Sequence, residues 1–367
     1  MIRNPGLDTL RALAIVLVVL HHYVLFVSGE PTFGAVGDVG WIGVDLFFAL
    51  SGYLIGNQIL GSGRLHIGRF YARRLLRTVP NFYVVLALYA AWPWFRAGLE
   101  LPPLWRFLTF TQNIELQPGT AFSHAWSLCI EEQFYMVLPA LALLLAPGRR
   151  SRWWSWAAIA LAVGGGLLAR GWQWHAQVHG SASEGYGYFR FIYYASLCRL
   201  DELVAGVALA LLRNHHPAAW RRLTAHGNAA LAFGLALVLP ACWWFLDDRL
   251  ALPVTLFGYP LLALGFGLLI VSALSEGSLL YRAEVPGARQ LALWSFAIYL
   301  IHKQVGILGG RALAAAGIAP GSLSAIVPLM ALSVLCGWLL YRCVERPFMV
   351  LRERFVPSNS GVDDAKR

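Results

Sequence analysis

Arg11 and His22 stand eleven residues apart in one unbroken apolar run, LDTLRALAIVLVVLHHYVLFVS, spanning 7–28. On a helix advancing about 100° and 1.5 Å per residue they share a face to within about 20°, separated by about 16 Å along the axis. Ionisable groups are costly in hydrocarbon, so they turn to a bundle interior or a wet cavity and mark function by default. These two residue types serve anion binding and proton handling. Asp8 begins the same run, and His21 precedes His22.

Five further segments place charged or reactive side chains in or beside apolar runs. GVDLFFALSGYLIG contains Asp45 and Ser51, with Gly43, Gly52 and Gly56 allowing close helix approach. FYARRLLRTVP clusters Arg73, Arg74 and Arg77, with Pro80 placed for a helix's early turns. That cluster suits either a topology anchor or a phosphate clamp, since guanidinium groups bind phosphate bidentately. In HAWSLCIEEQFYMVLP, Ser127 and Glu131 are four apart and share a helical face, while Glu132 points about 100° away. LCRLDELVAGV brings Arg199, Asp201 and Glu202 close enough in sequence to neutralise one another, a structural group more than a catalytic one. IYLIHKQV sets His302 and Lys303 in the outer half of a late span.

Positioning these groups requires a membrane bundle. The 367 residues are 58% hydrophobic and 13% charged, against roughly 25% charged in a soluble domain. Ten apolar segments are predicted to span, at roughly 7–28, 39–60, 79–97, 126–146, 153–171, 196–212, 227–246, 252–273, 289–310 and 322–345. The fold class is thus an all-α polytopic membrane protein of about ten transmembrane helices. The net charge of +10 raises nucleic acid as a partner, but the location of the charges argues for the lipid bilayer instead. Arg64, Arg69, Arg73, Arg74 and Arg77 share one loop; Arg149, Arg150 and Arg152 a second; Arg213, Arg221 and Arg222 a third; and the tail adds Arg346, Arg352, Arg354, Lys366 and Arg367. Opposite loops carry few basic residues, so both termini are expected in the cytoplasm.

The run at the N-terminus is long enough to span and lacks a small-residue cleavage site, so a retained first helix is expected. Five cysteines lie within apolar segments without a CxxC pair, which supports neither a disulfide framework nor a zinc site. His175 and His179 are four apart but lack a third ligand, so no metal is expected. Residues 98–125 are too polar to span and include WRFLTFTQNI, a re-entrant candidate. Residues 172–195 are crowded with aromatics that suit an interfacial belt, with a sugar-stacking platform as the alternative. PSNSGVDDAKR reads as a frayed tail.

Taken together, the motifs resemble the membrane acyltransferase-3 family, O-acyltransferases of bacterial surface polysaccharides and related acceptors. The matching pieces are LDTLRALAIVLVVLHH, with the family's Arg–ten residues–His spacing at Arg11 and His22, then GVDLFFALSGYLI, RRLLRTVP, WSLCIEEQFY, CRLDELVAG, SFAIYLIH and VERPF. They occur in family order over residues 7–348. The resemblance implies a membrane acyltransferase domain at 1–348 followed by a cytoplasmic tail at 349–367, in the stand-alone form without an esterase-like domain. It implies a multi-pass protein of a bacterial inner membrane that takes acetyl-CoA or another acyl-CoA as donor and a glycan or lipid-linked sugar as acceptor. Arg11 and His22 are implied as essential, Arg74 and Arg77 as the RxxR pattern linked to acyl-CoA, and Glu131 as the acidic position of WSLxxEEQFY.

Acyl transfer to a hydroxyl needs a base and a group that supports the developing oxyanion. His22 suits the first role, with Glu131 as a candidate to orient its ring. Arg11 more readily fixes the CoA portion or pairs with Asp8, while Arg74 and Arg77 suit CoA phosphates. The rival reading is a proton-coupled transporter or flippase of a lipid-linked sugar, which also uses buried His, Glu and Arg. Matching broken helices in two halves, common in inverted-repeat carriers, are not evident.

Overall fold

The computed structural model describes residues 4–61, 65–145 and 151–357. Arg64, Arg149 and Arg150, and residues 358–367 of the expected tail with Lys366 and Arg367, lie outside the described residues. Among those described, every regular element is a helix and there is no strand. The long helices are α1 (Pro5–Tyr23), α2 (Ile42–Leu60), α3 (Ile67–Ala91), α4 (Trp126–Leu145), α5 (Ser151–Gln173), α6 (Asp201–His215), α7 (Gly227–Asp248), α8 (Leu252–Leu274), α9 (Ala288–Ala315) and α10 (Leu323–Leu340). A shorter helix, α11 (Arg346–Phe355), follows α10. Each predicted span falls on one of these helices. Seven helical segments among the described residues are long and apolar enough to cross a membrane; α3, α5 and α6 are not among them. The chain is an all-α polytopic membrane protein.

Helix α1 starts where the sequence supplies a stop for its free amide groups. Asn4 accepts a hydrogen bond from the Leu7 amide at 3.0 Å, and Pro5 opens the first turn without an amide to satisfy. At its other end α1 widens into a π-helical turn, Val24–Ser28, one residue after the two histidines. Gly29 then stops the helix with φ of 68°, a left-handed conformation that glycine adopts without steric cost. Widened turns of this kind concentrate at functional sites.

Helix α1 is central, lying against α2, α8 and α9. Helix α2 pairs with α6, α7 with α8, and α9 with α10. Small residues set the closest of these contacts. A Cβ on Gly52 would lie 2.0 Å from the carbonyl oxygen of Leu203, and one on Gly43 would lie 2.3 Å from that of Ala14. Close backbone approach through small residues is the expected packing mode where lipid removes the usual hydrophobic drive.

The basic segment around Arg73 is helical, because α3 begins at Ile67, well before the predicted span. Pro80 consequently lies in the helix interior and not in its early turns. Residues 98–125 contain the short helix Leu104–Leu108 and a series of turns that bury Phe107, Phe110, Gln112, Asn113 and Phe122. Gln133, within α4, donates to the carbonyl oxygen of Phe110 at 2.7 Å and to Asn113 at 3.0 Å. Asn113 in turn donates to the Tyr194 carbonyl at 3.0 Å. Both long connections are thereby tied to one helix.

The aromatics of 172–195 divide. Trp172 is exposed, whereas Tyr188 and Tyr193 are buried. Tyr193, Tyr259 and Trp126 surround the guanidinium of Arg199, at 4.6, 4.3 and 5.2 Å from their ring centres. These buried rings form neither a belt nor a platform. They line a cage around an internal charge.

Candidate active site

Arg199 and Asp201 do not neutralise each other, contrary to their proximity in sequence. Arg199 on the approach to α6 pairs with Asp45 of α2, and Asp201 pairs with Arg170 of α5. All four side chains are almost wholly buried. Glu202 is also buried, with neither carboxylate oxygen hydrogen-bonded. These ion pairs join α2, α5 and α6, and none of their members lines the principal cavity. Asp45, Arg199 and Asp201 act here as interior ties between helices.

The principal cavity has a volume of about 880 Å³ and opens among the starts of α1 and α3 and the ends of α2 and α6. Six arginines line it: Arg11, Arg73, Arg74, Arg77, Arg213 and Arg352. Their partners differ. Arg73 donates to Glu353 of α11 at 2.9 Å and to the Val356 carbonyl. Arg74 lies 3.8 Å from Glu132 and 3.9 Å from the centre of the Tyr135 ring. Arg11 and Arg77 make no hydrogen bond or ion pair to another described residue. Uncommitted guanidinium groups on a cavity wall suit a multiply charged anion, above all phosphate.

Deeper in the same cavity, Ser51 donates to Glu131 at 3.1 Å and Tyr135 donates to Glu131 at 2.8 Å. Glu131 thus faces the arginine chamber, and among the described residues it makes no contact with His22. His22 instead lies beside an imidazole of α9. His22 Nδ1 lies 2.7 Å from His302 Nε2. His21, next to it, is turned away and bonds the Gly37 carbonyl at 2.8 Å. The structure therefore separates the two histidines as the family spacing did.

His22 has a second imidazole beside it. The ring of His124 is centred 5.9 Å from His22 and 5.7 Å from His302. Lys303, 2% exposed, donates to Ser123 at 2.9 Å and sits 4.1 Å from the centre of the Phe26 ring. His22 itself does not line the arginine cavity, whose inner end is formed by Ser127 and Tyr299. Helix α1 joins the two regions, with Arg11 in the chamber and His22 beyond that wall. No group of three or more His, Cys, Asp or Glu among the described residues is arranged to hold a metal ion.

A family model described as an acyltransferase domain matches residues 4–342. The chain belongs to the acyltransferase-3 family. It is similar to the peptidoglycan O-acetyltransferase OatA of Listeria monocytogenes, 33% identical over 159 residues, covering 38% of this chain and 24% of that protein. It is similar to the putative membrane-bound transacylase BcsY of Komagataeibacter xylinus, 35% identical over 167 residues, covering 41% of this chain and 40% of BcsY. It is also 28% identical over 232 residues to a putative O-acetyltransferase of Staphylococcus aureus strain COL, covering 57% of this chain and 34% of the other. The chain thus spans well under half the length of each of these relatives. No solved structure matches it.

Within this acyltransferase-3 chain, the sequence motifs meet in two places. RRLLRTVP, WSLCIEEQFY and Arg11 surround the arginine chamber, while His22 and SFAIYLIH form the histidine group. His124 escaped the sequence reading, although it stands only two residues before the WSLCIEEQFY motif. Tyr299 likewise lay unremarked inside SFAIYLIH. Their importance depends on contacts across 172 or more residues.

Proposed function

We propose that this protein transfers an acyl group, most simply acetyl, from acyl-CoA to a hydroxyl of a glycan or lipid-linked sugar. The observation that carries the proposal is the use of one helix by both halves of the site. Arg11 lines the arginine chamber and His22 meets His302 beyond its inner wall. The names of the Listeria and Staphylococcus relatives support acetyl as the group, and that of the Listeria protein supports a cell-envelope glycan as the acceptor.

In this reading the arginine-rich end lies in the cytoplasm with both termini, and ten helices cross the inner membrane of a bacterium. Arg74 and Arg77 hold the phosphates of CoA, with Arg73 at the rim. Arg11 holds the donor further in. The thioester arm reaches toward Tyr299, and the acceptor approaches His22 from the opposite face.

The nitrogen lone pair of His22 takes the hydroxyl proton as the acceptor oxygen attacks the thioester carbonyl carbon. The carbon–sulfur bond breaks as the tetrahedral species collapses, and His22 returns the proton to the departing thiolate. The products are an ester and free CoA thiol, so atoms and charge balance. General base assistance of this kind supplies about 10²- to 10⁴-fold in rate.

Release of CoA thiol from acetyl-CoA by purified protein in liposomes, with glycan acceptors supplied, tests the proposal. Wild type is expected to release thiol, and folded His22→Ala is expected to lose that release. Undiminished release by His22→Ala would remove His22 from the chemistry.

A further inference from the structure

The hydrogen-bond geometry around His302 determines which nitrogen of His22 bears hydrogen. His302 Nδ1 lies 2.9 Å from the carbonyl oxygen of Ile298, one turn earlier on α9. A carbonyl oxygen only accepts, so Nδ1 of His302 carries hydrogen, and in the neutral ring Nε2 presents a lone pair. That Nε2 lies 2.7 Å from His22 Nδ1. The two rings are inclined by only 4°, with centroids 4.9 Å apart. A nitrogen–nitrogen contact this short at that centroid separation places the imidazoles end to end in nearly one plane. The lone pair of an imidazole lies in its ring plane, so the contact has the directionality of a hydrogen bond.

One hydrogen is needed between the two nitrogens, and His22 Nδ1 must supply it. The alternative arrangement would require His302 to be doubly protonated. It would then be a cation, 3% exposed, adjacent in sequence to Lys303 and without an ion-pairing carboxylate among the described residues. Burial of an unpaired charge in such a setting is strongly unfavourable. The ionisable groups packed about the pair are His21 on α1, His124 before α4, and Tyr299 and Lys303 on α9, none of which supplies a negative partner.

We propose that His302 is a positioning residue that locks His22 in the tautomer with hydrogen on Nδ1 and the lone pair on Nε2. The inference rests on the reading of His22 as the base. The Ile298 carbonyl cannot accept a proton and pass it on, so the chain of bonds ends there. The proton taken from the acceptor hydroxyl therefore stays on the histidine pair until the thiolate leaves. A neutral acceptor on Nδ1–H also steadies the His22 imidazolium that forms during transfer. This is the place that Glu131 was expected to fill, occupied instead by an imidazole from α9.

Two variants separate this role from simple packing. His302→Gln retains an acceptor oxygen within reach of His22 Nδ1, whereas His302→Leu fills the volume without one. Histidine nitrogen chemical shifts in isotope-labelled full-length protein report the tautomer directly, independently of turnover. The expected result is an Nδ1–H tautomer at His22 in wild type and His302→Gln, lost in His302→Leu. The leucine variant should lose at least about 10²-fold in kcat with KM for acetyl-CoA unchanged, and the glutamine variant should stay within about tenfold of wild type.

An Nε2–H tautomer at His22 in wild type would overturn the inference whatever the variants do. So would equal kcat loss in folded His302→Gln and His302→Leu, or full activity in His302→Leu. If His22→Ala stays active while the wild-type tautomer is as described, the base assignment fails and the hydrogen bond stands. The two failures are therefore distinguishable.

Discussion

The hydroxyl of Tyr299 lies between Ser127 Oγ, at 2.6 Å, and the main-chain oxygen of His124, at 2.5 Å. Its single hydrogen goes to the carbonyl, so Ser127 donates to the phenolic oxygen. Ser127 and Tyr299 close the inner end of the arginine chamber, and the Tyr299 ring is centred 6.0 Å from His302 on the other side. In the proposed reading, an acyl group travelling from the chamber to His22 passes this point. Tyr299→Ala should breach the wall and admit water, producing a several-fold rise in acyl-CoA hydrolysis without acceptor. An unchanged hydrolysis rate in a folded variant would mean that the wall does not separate donor from water.

The arginines of the chamber should differ in their kinetic effects because their protein partners differ. Arg77 makes no hydrogen bond or ion pair to another described residue, and Arg74 has only a long contact to Glu132 and the face of the Tyr135 ring, so both are available to a phosphate. Arg74→Ala and Arg77→Ala should each raise KM for acetyl-CoA by about tenfold to a hundredfold, the equivalent of about 1.5–3 kcal/mol for a charged hydrogen bond. Arg73 is already engaged by Glu353 and the Val356 carbonyl, so Arg73→Ala should have a smaller effect on KM. Initial rates at varied acetyl-CoA decide the matter. Equal effects at all three positions would contradict this division of labour.

Arg199 should matter to stability more than to donor affinity. Its removal leaves Asp45 as an uncompensated charge at the centre of the bundle, where neither residue is exposed. Arg199→Leu is expected to lower stability by about 3–5 kcal/mol, whereas exchanging both partners for apolar residues should restore much of it. Thermal unfolding in detergent provides the comparison. A double variant as unstable as Arg199→Leu would show that this pair contributes more than mutual neutralisation.

The parts of this fold legible in sequence were those with a local physical signature. Long apolar runs located the helices, and Gly43 and Gly52 marked backbone contacts that leave no room for a Cβ. The clustering of Arg73, Arg74 and Arg77, which suits a topology anchor or a phosphate clamp, falls on the chamber lining together with Arg11. Pairing between distant segments was not legible. Arg199 finds Asp45 across 154 positions, and His22 finds His302 across 280. Arg199 and Asp201 stand together in sequence, but helix geometry and the α2–α6 contact send their side chains to different partners. Glu131 was assigned to His22 by chemical need alone. In the folded chain, Ser51 and Tyr135 engage it on the chamber side.

Transfer across an oriented bilayer tests the central claim most directly. Radiolabelled acetyl-CoA is sealed with the arginine-rich end of the protein, and a glycan acceptor is supplied only at the opposite face. Labelled ester should accumulate on the glycan with wild-type protein, and should be absent with folded His22→Ala. Equal labelling by wild type and His22→Ala would contradict a donor chamber and a histidine centre working through one helix.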